Sequence, residues 1–304
     1  MNLKDNEKVV LLTKYTDEIN RISQKYEYPN NIKHLLYIII PAFVIKYGVR
    51  KEHFILNCLE EIPIFITGKE DPRIQALYIS CPIKENNKIK TTKQILLNRY
   101  QGLPYMQLID NLVHEFNHAI NSFKNEVLYE DDYFYLRTGL STVKYNKKNM
   151  EKIDKSKSII LEEIINSKQT ETIIETILEL SNLKVDNIQI QNTLYAIRNS
   201  VKDQYVSKSY FAQKYYCQTL LDNKTFFLTL EDLRINGNIF DIESWFNNIY
   251  GDNHGYQTLV EVLYNLTELQ RKTGFVLFKE NKMKQMAQQL IEISNRFNQN
   301  CNLK

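Results

Sequence analysis

MQLIDNLVHEFNHAINSF, running from Met106 to Phe123, is the stretch from which the rest of the chain is read outward. Ile109, Leu112, Val113, Phe116, Ile120 and Phe123 recur at three- and four-residue steps and make one apolar stripe of helical period. His114 and His118 are four apart, so they stack one turn above each other. They point away from the stripe, in a row continued by Gln107 and Asn111. Such a helix packs one side on a core and offers two imidazoles to a cleft on the other. Two neutral imidazoles at this spacing can share one Zn2+, and Glu115, beside the first, can deprotonate a metal-bound water. The competing reading is a pair of solvated histidines flanking a helix glutamate. Helical context and the separation of faces favour the metal.

Composition sets the outer limits. A chain of 304 residues is long enough for one large domain or two lobes with a substantial core. A hydrophobic share of 43% beside 25% charged residues is ordinary for a soluble globular protein. The net charge of +3 is close to balance and the lysines are scattered, which argues against a nucleic-acid groove. Cys58, Cys81, Cys217 and Cys301 have no metal-binding spacing and read as reduced, buried thiols. The first residues, MNLKDNEKVVLLTKYTDEINRI, hold only a short apolar run and no secretory signal. His34 to Val49, the most apolar segment, contains Pro41 and Lys46 and runs into Gly48, so it reads as core rather than as a membrane span. These features predict a cytoplasmic protein.

All six prolines precede the histidine pair, which predicts a mixed first part and a mainly helical remainder. Helices are expected over 5–26, over 32–49 with a kink near Pro41, and over 51–61. Short β runs follow at 62–67, 76–80 and 94–100, the last two separated by a polar turn over 84–90. A short sheet just before the central helix can offer an edge to an extended peptide. Beyond that helix, Tyr133 to Val143 reads as a strand or hairpin turning at Gly139, and 144–157 as a lysine-rich loop. Helical patterns then cover 158–181, 186–202, 207–221, 256–273 and 279–298. The expected class is α+β, with one lobe over 1–125 ending in the histidine helix and a mainly helical lobe over 126–304.

A catalytic zinc site has three protein ligands and an open position. No Gly or His follows His118 at the spacing that a third histidine close behind would need, so a carboxylate is the better candidate. HEFNH together with LEEIIN, on a helix beginning near residue 158, resembles the gluzincins, the thermolysin-like zinc metallopeptidases. The resemblance covers roughly residues 95–180. It implies a zincin-like fold, with a small mixed sheet before the metal helix and a helical C-terminal part. It also implies Zn2+ held by His114, His118 and Glu163, with Glu115 as general base. The chain departs from the family pattern at Glu162, Ile164 and Ser167, which leaves Glu162 open as the alternative ligand. Glu163 is favoured because it shares a helical line with Thr170, Ile174 and Ile177, expected to face inward. Glu162 lines up instead with Asn166.

The resemblance further implies an oxyanion donor from a downstream Tyr or His, for which His254 and Tyr145 are the candidates. Arg137 fits either a grip on a substrate carboxylate or an ordinary surface ion pair. The expected activity is hydrolysis of a peptide or protein substrate through a zinc-activated water. The alternative is a zincin-fold regulatory or binding protein that acts on a single protein partner and has little or no general peptidase activity.

Overall fold

A computed structural model of the chain describes residues 3–67, 75–86, 88–98, 103–123, 126–200, 210–236, 239–273 and 281–302. Parts of the expected 94–100, 186–202, 207–221 and 279–298 segments lie outside these residues. The chain is mixed α+β and mostly helical. It groups into two compact units, each assembled from separated pieces: 1–83, 91–120 and 169–207 in the first, 84–90, 121–168 and 208–304 in the second. This grouping divides two long helices, giving each unit part of both.

In the first unit, the expected helix over 5–26 is two helices, α1 (Asp5–Lys14) and α2 (Thr16–Lys25), separated at Tyr15, whose backbone leaves helical geometry at φ −100°, ψ 6°. Helix α3 (Asn30–Tyr47) runs through Pro41 and buries every residue from Leu35 to Ile45. It packs against α1, α2, α4 (Glu52–Glu61) and α7 (Ile188–Ser200), so its apolar length is spent on a protein core. Among the described residues, no single helix is long and apolar enough to cross a membrane.

Strands β1 (Ile64–Ile66), β2 (Ala76–Glu85) and β3 (Lys88–Leu97) form a sheet in the order β1-β3-β2, with β1 parallel to β3 and Ile64 opposite Ile95. β2 and β3 extend into the expected polar turn, and Asn86, just after β2, is a residue type that tolerates its φ of +49°. This sheet leads into α5 (Tyr105–Ser122), the histidine helix.

In the second unit, the stretch after α5 departs furthest from expectation. Val127–Glu130, Tyr133–Thr138, Ser141–Asn146 and Lys152–Lys155 are β4 to β7, a four-stranded antiparallel meander that takes up most of the expected 144–157 loop. The exposed residues of β7 (KIDK) carry no apolar alternation, which is why composition pointed to a loop. Helix α6 (Ile159–Leu180) follows. Helices α8 (Phe211–Tyr216) and α9 (Gln218–Leu221) replace one expected helix and meet at Cys217. With α10 (Lys224–Asn236), α11 (Ile239–Tyr250), α12 (Gly255–Thr273) and α13 (Asn281–Asn302) they enclose a core that includes Phe226, Phe246, Leu263, Leu290 and Phe297. Ile160, Leu161, Ile164 and Ile165 bring the head of α6 into that core. Three of the four cysteines are buried as expected, but Cys81 on β2 is exposed.

Candidate metal centre

The apolar stripe of α5 packs as its period requires. Ile109, Leu112, Val113, Phe116 and Ile120 are all buried, and Phe116 meets Phe43 of α3 edge-on at 5.2 Å between ring centroids. Burial extends well beyond the stripe: Glu115, Asn117, His118 and Asn121 are buried too, while His114 stays partly exposed. Polar groups buried this deeply need partners. The Asn117 amide donates to Gln169 Oε1 on α6 at 2.9 Å and accepts from the Tyr47 hydroxyl at the end of α3. The residue between Phe116 and His118 therefore ties α5 to both neighbours. In the row that continues the histidines, Gln107 and Asn111 both donate to Gln75 Oε1.

The two imidazoles stand edge-to-face, with centroids 4.8 Å apart and planes at 83°. One ligand atom from each of His114, His118 and Glu163 lies within 4.8 Å of the other two. Donors sharing one tetrahedral ion bonded at about 2.0–2.2 Å sit about 3.4 Å apart. Small side-chain rotations close that difference, so two nitrogens and one carboxylate oxygen on two helices can hold a metal ion.

The neighbouring carboxylate has a different fate. Glu162 is fully buried and bound by the guanidinium of Arg234 on α10, through Nε at 3.1 Å and through a closer contact from Nη2. It also accepts the backbone amide of Leu140 at 2.7 Å. Arg234 reaches Asn166 Oδ1 as well, so the helical line of Glu162 and Asn166 is a shared guanidinium site. Glu163 is the ligand candidate. On its helical line Thr170 and Ile177 are buried as expected and Ile174 is partly buried, although Glu162 is the more buried of the two carboxylates.

The expected surface role of Arg137 is corrected as well. Its side chain is completely buried, and Nη1 donates to the carbonyls of Gly139 at 2.8 Å and Arg234 at 2.9 Å. Ser167, where the gluzincin pattern has an acid, is buried and accepts from Lys214 Nζ at 3.1 Å.

Glu115 accepts the backbone amide of Tyr78, on β2, through Oε2 at 2.6 Å. Glu115 is thus fastened to β2 of the sheet that precedes its helix. Of the two expected oxyanion donors, His254 is exposed in the turn before α12, its backbone amide bonded to Asp252. Tyr145 lies in β6, its ring stacked on Phe134 with centroids 5.1 Å apart.

A residue the sequence did not single out feels Glu163 directly. The Tyr210 phenol is pushed up to about 12, mainly by burial and then by the Glu163 charge, while a bond from Arg271 works in the opposite direction. Tyr210 has no motif around it, and only its place at the N-terminus of α8 brings it to Glu163. Compared with protein-family models, curated proteins and solved structures, the chain finds no match.

Proposed function

We propose that this chain is a zinc-dependent metallopeptidase, with His114, His118 and Glu163 holding the ion and Glu115 acting as general base. The observation that carries the proposal is the convergence of those three donor atoms within 4.8 Å, with a buried glutamate next to the first histidine. The donor set of two imidazoles and one carboxylate suits zinc, and it also suits non-haem iron. The adjacent Glu115 favours the hydrolytic use, because only that chemistry requires a proton acceptor at this position. When bound, the ion supplies Lewis acidity toward water and toward a carbonyl oxygen.

The chain's own residues do the rest. The Tyr78 amide orients the Glu115 carboxyl group through Oε2, so Oε1 is the oxygen poised to take a proton from water and return it to a leaving amine. Tyr210, Tyr145 and His254 are the side chains to test as donors to the developing oxyanion, and Tyr210 is the one whose phenol registers the Glu163 charge.

The proposal is tested on purified protein by metal analysis and by hydrolysis of a broad peptide library. Glu115→Gln is expected to keep its metal and to lose about 10²–10⁴-fold in turnover. Wild-type turnover in that variant would remove Glu115 as the base. Iron in place of zinc in the wild-type protein would overturn the assignment of the ion.

A further inference from the structure

Beyond ligands and base, the site needs Glu163 to point at two imidazoles carried by a different helix. Adjacent residues on a helix differ by about 100° in direction, so whatever fixes Glu162 also fixes Glu163. A turn of α6 by about 10° about its axis moves a group about 5–6 Å from that axis by about 1 Å. Metal–ligand bonds tolerate roughly 0.2 Å. The rotational setting of α6 is therefore part of the site.

That setting is held from several sides. Arg234 grips the Glu162 carboxylate with Nε and Nη2 and contacts Asn166 one turn further along. The Leu140 amide donates to Glu162 Oε2, while Ser158 Oγ, just before α6, donates to the Leu140 carbonyl at 2.8 Å. Gly139, in the same β5–β6 turn, has φ +55°, and a Cβ there would lie 2.1 Å from the Glu162 carboxylate oxygen. Its amide donates at 3.2 Å to Ser122 Oγ, the last residue of α5. The turn thus joins the end of the histidine helix to the head of the glutamate helix. Arg137 braces the arrangement by donating to the carbonyls of both Gly139 and Arg234.

We infer that Arg234, acting through Glu162 and the Gly139–Leu140 turn, is a positioning residue that sets the direction of the metal-ligating carboxylate of Glu163. The inference rests on His114, His118 and Glu163 being the metal site. A plain structural role would stabilise the fold without affecting how well the folded protein binds metal.

The test is Zn2+ affinity, read by competition with a chromogenic chelator, together with the visible spectrum of the Co2+-loaded protein, on wild type and Arg234→Lys. Lysine keeps the charge and loses the planar fork. Arg234→Lys is expected to fold, to bind Zn2+ about 10–100-fold more weakly and to change the Co2+ band pattern. Unchanged affinity and an unchanged Co2+ spectrum would overturn the inference. If Arg234→Lys does not fold, Glu162→Gln/Arg234→Met replaces the buried charges with neutral groups and keeps an acceptor for the Leu140 amide. The same loss of affinity is expected from that folded double variant, and wild-type affinity in it would likewise overturn the inference. Failure of the underlying site looks different: wild type and Glu163→Gln would then bind Zn2+ equally poorly, and the inference falls with the site.

Discussion

Glu162 and Glu163 are consecutive, carry the same side chain and occupy opposite kinds of surroundings. Around Glu162 the protein is closed: a guanidinium, a backbone amide and the bare Cα of Gly139 fill the space about the carboxylate. Around Glu163 it is partly open, and a ligand atom from each of His114 and His118 lies within 4.8 Å of its carboxylate, with Tyr210 close enough to register its charge. A sealed carboxylate paired with arginine holds structure, and its removal strands an opposite charge in the interior. A half-open carboxylate beside two imidazoles can exchange its partners for an ion. The difference teaches that the more buried of two neighbouring glutamates is the one already committed to a protein partner.

The contrast can be broken most directly with Glu162→Ala, which leaves Arg234 buried without its counter-charge. It is expected to cost about 3–5 kcal/mol in denaturant unfolding of the metal-free protein. A cost below about 1 kcal/mol would make the two carboxylates equivalent. Gly139→Ala probes the same closed side more gently, by pushing a methyl group toward Glu162 at a positive φ. A loss of about 1–3 kcal/mol is expected, and no loss would show that the space about Glu162 has room to give.

On the open side, Glu163→Gln is expected to change metal-free stability by no more than about 0.5 kcal/mol. Its Zn2+ affinity should fall by more than the roughly 10–100-fold typical of a residue that only supports a ligand. Equal affinity would return the third ligand to another side chain.

The smallest effect concerns thiols, where sealed and open surroundings also differ. Burial pushes the Cys217 thiol up to about 12, so below that pH it stays protonated in the folded protein, whereas Cys81 is exposed. Alkylation of the native protein at pH 8, followed by peptide mapping, should mark Cys81 first. Prompt labelling of Cys217 would show that the second unit's interior opens readily.

What the sequence makes legible follows the range of the interactions involved. The histidine pair could be read because the stripe from Ile109 to Phe123 fixes a helix phase locally, and the buried stripe bears this out for the described residues. The fate of Glu162 could not, because its partner Arg234 is 72 residues away and nothing near either residue announces the pair. Arg137 was unreadable for a related reason: Nη1 donates to backbone carbonyls, which leave no trace in side-chain patterning. The β4–β7 meander escaped because strands such as Lys152–Lys155 are exposed and lack the alternation that marks a half-buried strand. Tyr15 splits the first helix without a proline or glycine to signal the break.

The distance in sequence between Glu162 and Arg234 has a consequence for biosynthesis. On a ribosome, Glu162 emerges well before Arg234, the residue that pairs with its carboxylate in the folded chain. The head of α6 therefore takes its final setting only after α10 has been made and docked.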